Sequence, residues 1–297
     1  MWDPSHYFTI PLDTWIQDFV MNWLVPEFRP FFRIVQWPVA KVLAGLSTLL
    51  QAIPFPIFLL CACVIAWRTA GWRISLFTGT AILLLNLLGL WEDSMTTLAM
   101  IFTAVAFCAC FGIPIGIVAA RHHRFSTMLR PILDIMQTIP SFVYLVPIVM
   151  LFGVGLVPGT VATIVFGIPP IIRLTELGIR QVQPDLVEAA RSFGSTSFQI
   201  LWEVELPLAR PSIMAGLNQT LMMALSMVVI AALIGAGGLG VTVYTGIGRL
   251  DVGTASLGGI GIVLLAIVLD RITQSVAKPS LRKGFVRAGR KTPSNST

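Results

Sequence analysis

The sequence predicts an all-α integral membrane protein, with about seven transmembrane helices and an amphipathic segment at its N-terminus. Three observations carry that prediction. First, 56% of its 297 residues are hydrophobic and only 11% are charged, with a mean hydropathy of +0.84, whereas soluble domains carry about 25% charged residues. Second, the apolar residues gather into runs near the ~20 residues that a helix needs to cross hydrocarbon. Third, the basic residues fall between those runs and in the tail. A chain of this composition cannot clothe a water-facing surface, so it belongs in a bilayer. The net charge of +6 then reads as an orientation signal or a patch against lipid headgroups, not as a nucleic-acid footprint.

From the N-terminus, "MWDPSHYFTIPLDTW" has no basic region ahead of an apolar core, so no cleavable signal is expected. Residues 14–36 form an amphipathic segment suited to the outer leaflet, which Pro26 and Pro30 divide into two short pieces. Crossings are expected at residues 42–67, 74–91, 94–120, 131–152, 157–174, 213–233 and 254–275. Pro54, Pro56 and Pro114 predict kinks rather than breaks. Trp37, Trp67, Trp72 and Trp91 fall at span ends, where indole rings favour the interface. The chain thus divides into an extracytoplasmic segment (1–41), a transmembrane unit (42–277) with a loop at 176–210, and a basic, polar tail (278–297) expected to be disordered.

Orientation follows the arginines. "RTAGWR", "RHHRFSTMLR", the region from Arg173 to Arg210 and the tail "KPSLRKGFVRAGRK" lie on one side under this count, while the opposite loops hold Glu92, Asp93 and one basic residue, Arg249. The positive-inside rule places the N-terminus outside and the C-terminus in the cytoplasm. Arg29, Arg33 and Lys41 run against the rule unless the N-terminal segment lies flat on the outer leaflet. Metal chemistry has no support. Cys61, Cys63, Cys108 and Cys110 sit in apolar runs, and cysteines two apart on a helix point to opposite sides.

The loop at 176–210 is charged and helix-forming. Pro184 suits a first helical turn, and Asp185 with Glu188 resembles a capping box. Gly194 stops that helix, and the stretch Ser195 to Ser197 caps a second one, "FQILWEVEL", which Pro207 ends. Two readings fit such a pair of amphipathic helices: a knob for a groove on another protein, or a loop resting on headgroups.

One pattern decides between them. Glu188, Ala189, Ala190, Gly194, Val204, Leu206 and Pro207 match the EAA signature of permease subunits in binding-protein-dependent ABC importers, with valine at 204 where isoleucine is usual. The stretches "MQTIPSFVYLVPIVMLFGVGLVPG", "FGIPPIIRLTELGI" and "NQTLMMALSMVVIAALIGAGGLG" resemble the permeases of glycine betaine/proline betaine importers, over roughly residues 95–277. The resemblance implies a type I ABC importer permease fold in a bacterial inner membrane. It implies that the seven EAA residues couple the chain to a cytoplasmic ABC ATPase present in two copies. It also implies an extracytoplasmic solute-binding protein and a second permease copy, with ATP and Mg held by the ATPase.

What the chain lacks agrees. There is no G-x-x-x-x-G-K-[ST] loop, and none of Lys41, Lys278, Lys283 and Lys291 follows a glycine cradle. The permease itself is therefore not expected to be an enzyme or to bind a cofactor. Nor do the spans carry the charge series of an ion-coupled carrier, which speaks against the alternative, an ATP-independent secondary carrier or channel for the same solutes. Arg173, Glu176, Asp270 and Arg271 read as anchors or pairs at helix ends.

Polar residues within spans are candidates for the path lining: Gln137, Thr138, Ser141, Tyr144, Asn218 and Gln219, besides Asn86 and Ser226. Each equally suits a bond to a neighbouring helix. The proline-broken stretch 137–147 is favoured, since irregular backbone at membrane depth must face a cavity or protein. Gly235, Gly237, Gly238 and Gly240 in "IGAGGLG" suit either an outer gate or close helix contact, and "GGIGI" at 258–262 suits contact. The solute class is betaine-like (glycine betaine, proline betaine, choline, carnitine or trimethylamine N-oxide), with the aromatic cage for its cation expected on the separate binding protein.

Overall fold

The computed structural model describes residues 11–277, and the N-terminal decapeptide and the tail from Lys278 lie outside the described residues. Every regular element described is helical: α1 (Leu12–Asp18), α2 (Val25–Ala52), α3 (Phe55–Ala70), α4 (Trp72–Leu87), α5 (Trp91–Arg121), α6 (His123–Thr138), α7 (Leu145–Phe152), α8 (Leu156–Arg180), α9 (Pro184–Ser192), α10 (Ser197–Gln199), α11 (Leu206–Ala232), α12 (Leu239–Gly248) and α13 (Val252–Ala277). Four of the described helical stretches are long and apolar enough to cross a membrane alone: α5, α8, α13 and the continuous stretch Ser197–Ala232 that contains α11. Two bent pairs, α2 with α3 and α6 with α7, raise the number to six if each pair is one span.

The differences from the expected count have local causes. The first crossing is not a kinked helix, because α2 and α3 meet at 105°. Pro54 is the N-cap of α3 with an extended ψ of 139°, and Pro56 sits in its first turn, so the pair starts a new helix instead of bending an old one. By contrast, α2 passes through Pro30, Pro38 and residues 41–42 without interruption. A π-helical stretch, Phe19–Leu24, joins it to α1, so Pro26 and Pro30 do not divide the segment as expected. The expected fourth crossing breaks at Ile139–Pro140, where α6 and the turn leading into α7 meet at 106°. The 16 residues of α4 rise about 24 Å, short of the ~30 Å of hydrocarbon. It forms a hairpin with α3 around Gly71 (φ 94°), held by the Ser75 hydroxyl donating to the Cys63 carbonyl at 2.8 Å.

Trp37, Trp67 and Trp72 are exposed, as interfacial rings should be. Trp91 is not; its ring meets Phe55 and Phe58 edge-on at 5.1 and 5.3 Å and pins the α2–α3 break onto α5. A helix that sequence reasoning left as loop, α12, packs back on α13, where the N–H of Val243 lies 2.8 Å from the place a Cβ on Gly258 would take.

The centre of the molecule is the contact among α5, α8 and α11. Glycines set its spacing. A Cβ on Gly112 would lie 2.3 Å from the Ile171 side chain, and one on Gly116 would lie 2.6 Å from Thr175 and 2.8 Å from the Ile172 carbonyl. Gly178 and Gly216 bring α8 and α11 equally close, against Ser212 and Ile171 respectively. In hydrocarbon no hydrophobic force draws helices together, so such close packing must hold them. The "GIPIG" stretch of α5 is thus a contact face, and α5 runs through Pro114 unbroken.

Gly116→Ala should therefore destabilise the detergent-solubilised protein by about 1–3 kcal/mol through overpacking, read as a lowered Tm. Gly45→Ala, where nothing lies within 4 Å, should be neutral or raise Tm, because alanine is the better helix former. At the start of α13 the Asp251 carboxylate accepts from the Thr254 hydroxyl (2.6 Å) and amide (3.1 Å). The Thr254 hydroxyl, then its amide, hold the Asp251 carboxyl below its ordinary value. A depressed carboxylate stabilises above its unfolded titration point and loses that contribution as pH falls through the folded one. Amide exchange at Thr254, corrected for its intrinsic pH dependence, should therefore accelerate only in acid below the usual carboxylate range.

Candidate coupling loop and translocation path

The loop after α8 folds as the sequence suggests up to its glycine. Pro184 occupies the first turn of α9, behind the N-cap Gln183, which makes no side-chain cap. The expected Asp185–Glu188 capping box is therefore absent, because Asp185 already lies inside the helix. Gly194 ends the turn at φ +84°, with its N–H donating to the Arg191 carbonyl and that of Ser195 to the Ala190 carbonyl. The left-handed conformation is open to glycine without steric cost. Thr196 then caps the next helix in a reciprocal box with Gln199.

Pro207 does not end that helix. The backbone continues from Ser197 to Ala232 as a single 36-residue helical stretch, through a π-helical segment at Ile200–Glu205. The proline falls in the first turn of α11, where its missing N–H has no α-helical duty. The elbow is thus continuous with a membrane span.

Its apolar groups divide sharply. Ile200 and Leu201 are buried and fasten the elbow to the body, while Phe193 is 91% exposed, Phe198 69% and Trp202 58%. Glu188 and Ala189 are exposed, Ala190 and Val204 half-buried. On the protein side, the Arg121 guanidinium at the end of α5 donates to the Ser197 carbonyl and to the Glu205 carboxylate, both at 3.0 Å. Sequence reasoning missed Arg121, whose partners lie 76 and 84 residues away.

The six path candidates separate into two places. Gln137, Thr138, Ser141 and Tyr144 surround the break between α6 and α7, where Ile139 and Pro140 take extended ψ values of 129° and 135°. Pro140 cannot donate to the carbonyl four residues back, at Met136. The Tyr144 hydroxyl donates to that carbonyl instead, and its ring meets Phe166 edge-on at 6.1 Å. Tyr144 is therefore a brace across the break. The Thr138 hydroxyl returns to its own helix, at the Ile135 carbonyl.

Asn218 and Gln219 line a separate cavity of about 450 Å³ with Met214, Met222 and Gln274, and none of the four residues at the break contributes to it. The Asn218 amide donates to Asp270 at 3.0 Å, and Gln274 donates to the same oxygen at 2.6 Å. Asp270, read from sequence as an anchor, is thus an acceptor shared by α11 and α13; its i,i+4 spacing to Gln274 was the available signal.

Of the gate candidates, Gly235, Gly237 and Gly238 all have positive φ (76°, 77° and 70°). Gly240 does not, and a Cβ there would lie 2.2 Å from the Val228 carbonyl. The Thr97 hydroxyl, which accepts from the Leu239 N–H at 2.9 Å, and Asp93, which accepts from the Thr242 hydroxyl, hold this turn on α5.

Tyr144→Phe should orphan the Met136 carbonyl and cost about 1–3 kcal/mol, read as a lower Tm with membrane insertion unchanged.

Both the sequence and the fold match known proteins. A family profile described as "Binding-protein-dependent transport system inner membrane component" matches residues 112–279. The glycine betaine/proline betaine transport system permease protein ProW of Escherichia coli is 52% identical over 95% of this chain and 79% of its own length. The glycine betaine transport system permease protein OpuAB of Bacillus subtilis is 44% identical over 93% and 97%. The glycine betaine/carnitine transport permease protein GbuB of Listeria monocytogenes is 42% identical over 91% and 96%. Among solved structures, the inward-facing MetNI methionine ABC transporter matches with a TM-score of 0.56 at 26% identity, over 67% of this chain and 95% of that one. With the family profile covering more than half of the sequence, the chain belongs to the inner-membrane permease components of binding-protein-dependent transport systems.

Proposed function

We propose that the chain is the translocation subunit of an ATP-driven importer for betaine-like quaternary ammonium osmoprotectants. The observation that carries the reading is the elbow: an EAA-signature loop turning at a left-handed glycine, with Phe193, Phe198 and Trp202 exposed beyond the body of the protein. Aromatic residues left in water on a rigid protrusion fit a groove in a partner. The family's dependence on binding proteins supports an ABC ATPase as that partner, with a solute-binding protein on the opposite face. The solute class rests on the names of the relatives that share about half of this sequence or slightly less.

In this reading the permease works as two copies above two ATPases, which hold the ATP and Mg. With the short apolar helix α4 as a seventh crossing beside the six, the number is odd, so the N-terminal segment (residues 1–41) lies outside and residues 42–277 form the pathway in a bacterial inner membrane. The loop 176–210 and the basic tail 278–297 face the cytoplasm. Glu188, Ala189, Ala190, Gly194, Val204, Leu206 and Pro207 form the coupling element. ATP-driven closure of the ATPases draws the elbow inward and changes the side to which the pathway opens. Gln137, Thr138, Ser141, Asn218 and Gln219 offer the solute weak polar contacts, while Gly235, Gly237, Gly238 and Gly240 serve the outer gate.

Gly194→Val tests the reading. Nothing lies within 4 Å of a Cβ there, so the change acts only through its φ of +84°, which costs a β-branched residue roughly 1–2 kcal/mol or more. In proteoliposomes holding the permease, ATPase and binding protein, the variant should insert normally and hydrolyse ATP while glycine betaine uptake falls. Glycine betaine uptake by the wild-type permease in vesicles without any ATPase would overturn the proposal.

A further inference from the structure

We propose that Arg121, Arg180 and Glu176 are positioning residues that carry the displacement of the elbow to α6, and through α6 to the backbone break at Ile139–Pro140. The proposal rests on the coupling role given to the elbow above. A continuous polar track runs along one face of the molecule. Arg121 binds the Ser197 carbonyl and Glu205 carboxylate of the elbow. Two residues before it on α5, the Ala119 carbonyl accepts from Arg180 at 3.0 Å. Arg180 in turn pairs with Glu176 at 3.0 Å. The same Glu176 oxygen accepts from Ser126 at 2.7 Å and Arg130 at 3.4 Å, both on α6. The elbow, the end of α5, α8 and α6 are thereby linked, with the α5 backbone from Ala119 to Arg121 as one step.

Two mechanical facts give the track a purpose beyond anchoring. The elbow joins its span through the π-helical stretch Ile200–Glu205 and then Pro207. Regular i→i−4 bonding lapses in both, so this is the joint at which an applied displacement would be lost by flexing. Arg121 spans the π-helical part of the joint, holding Ser197 before it and Glu205 at its end to α5. The second fact concerns α6. Only Ser126 and Leu133 of this helix are buried, while Met128, Ile132 and Ile135 are exposed. Apolar packing therefore does little to fix its place. Its position depends on Ser126 and Arg130 at Glu176, and on the 2.6 Å pair of Asp134 with Arg173.

Glu176 is only 6% exposed. A carboxylate buried at that depth is tolerated when fully bonded, and removing one partner is strongly felt. Beneath the track, α5, α8 and α11 are packed through Gly112, Gly116, Gly178 and Gly216 with no room to slip. These three helices therefore move as a block, and the Glu176 cluster makes α6 follow. Because α6 leads directly into the break, its shift changes the angle there.

The test uses the complete importer, permease with ATPase and binding protein, in nanodiscs and proteoliposomes. Spin labels at the exposed Met128 on α6 and Val146 on α7, on either side of the break, report the distance between them with and without vanadate-trapped ATP. In the wild type this distance should change on trapping. Arg121→Gln, Arg180→Gln and Glu176→Gln should abolish the change and raise ATP consumed per glycine betaine imported about tenfold, in line with the loss of charged hydrogen bonds. Arg121→Lys and Arg180→Lys should restore a part of both. A cysteine cross-link from Phe193 to the ATPase should form in every variant. If the cross-link forms while α6 movement and stoichiometry stay within about twofold of the wild type, the relay is wrong and the coupling elbow stands. If the wild type itself does not cross-link, the coupling reading fails and the relay with it.

Discussion

A peptide group in hydrocarbon has no water to bond, and this single constraint governs where the chain can turn. Prolines are where it is tested, because each removes a donor and leaves a carbonyl four residues back without its usual partner. The chain meets the problem in three ways. At Pro54 it stops one helix and starts another, with the proline at the cap. At Pro140 the Tyr144 hydroxyl takes the place of the absent N–H. At Pro207 the backbone enters through a π-helical stretch, so the proline arrives where no donor is needed. These solutions determine the two sharp breaks and the single unbroken helical connection between elbow and span.

The same constraint explains how the helices hold together. Once backbone polarity is satisfied within each helix, side-chain polarity has to be satisfied between them. Asn218 does so on Asp270, and Ser126 and Arg130 do so on Glu176, each carboxylate also taking a donor from its own helix, Gln274 or Arg180. Elsewhere association depends on closeness alone, and the glycines of α5, α8 and α11 supply it. The result is a tightly packed centre with a loosely fixed α6 at its margin.

Much of this was legible in the residues. The long spans α5, α8, α11 and α13 announce themselves as apolar runs, and Gly194 as the corner of the loop needed only its surroundings. The errors have common physical sources. Pro207 looked like a terminator because π-helical bonding in the preceding residues leaves no mark in composition. Pro54 looked like a kink because the same residue within an apolar run can bend a helix or begin one. The ten residues of α12, too short to cross and rich in glycine and β-branched side chains, read as loop; packing against α13 makes them a helix. Asp185 failed as a cap by one register, since Pro184 already claimed the first turn. The cluster around Glu176 was visible as charge, but nothing in a single sequence says that a carboxylate near a helix end is buried. Partners 50 to 84 residues apart are fixed by tertiary packing alone.

The three uncovered rings of the elbow have a consequence for the life of the chain before assembly. A permease newly inserted in the membrane, with no engine yet attached, holds Phe193, Phe198 and Trp202 out in water on a stiff stalk. Exposed aromatics of this kind are what chaperones and membrane proteases recognise in unfinished proteins. Under the coupling role proposed above, that surface is covered only once an ATPase is bound, which leaves an orphaned subunit open to capture or removal.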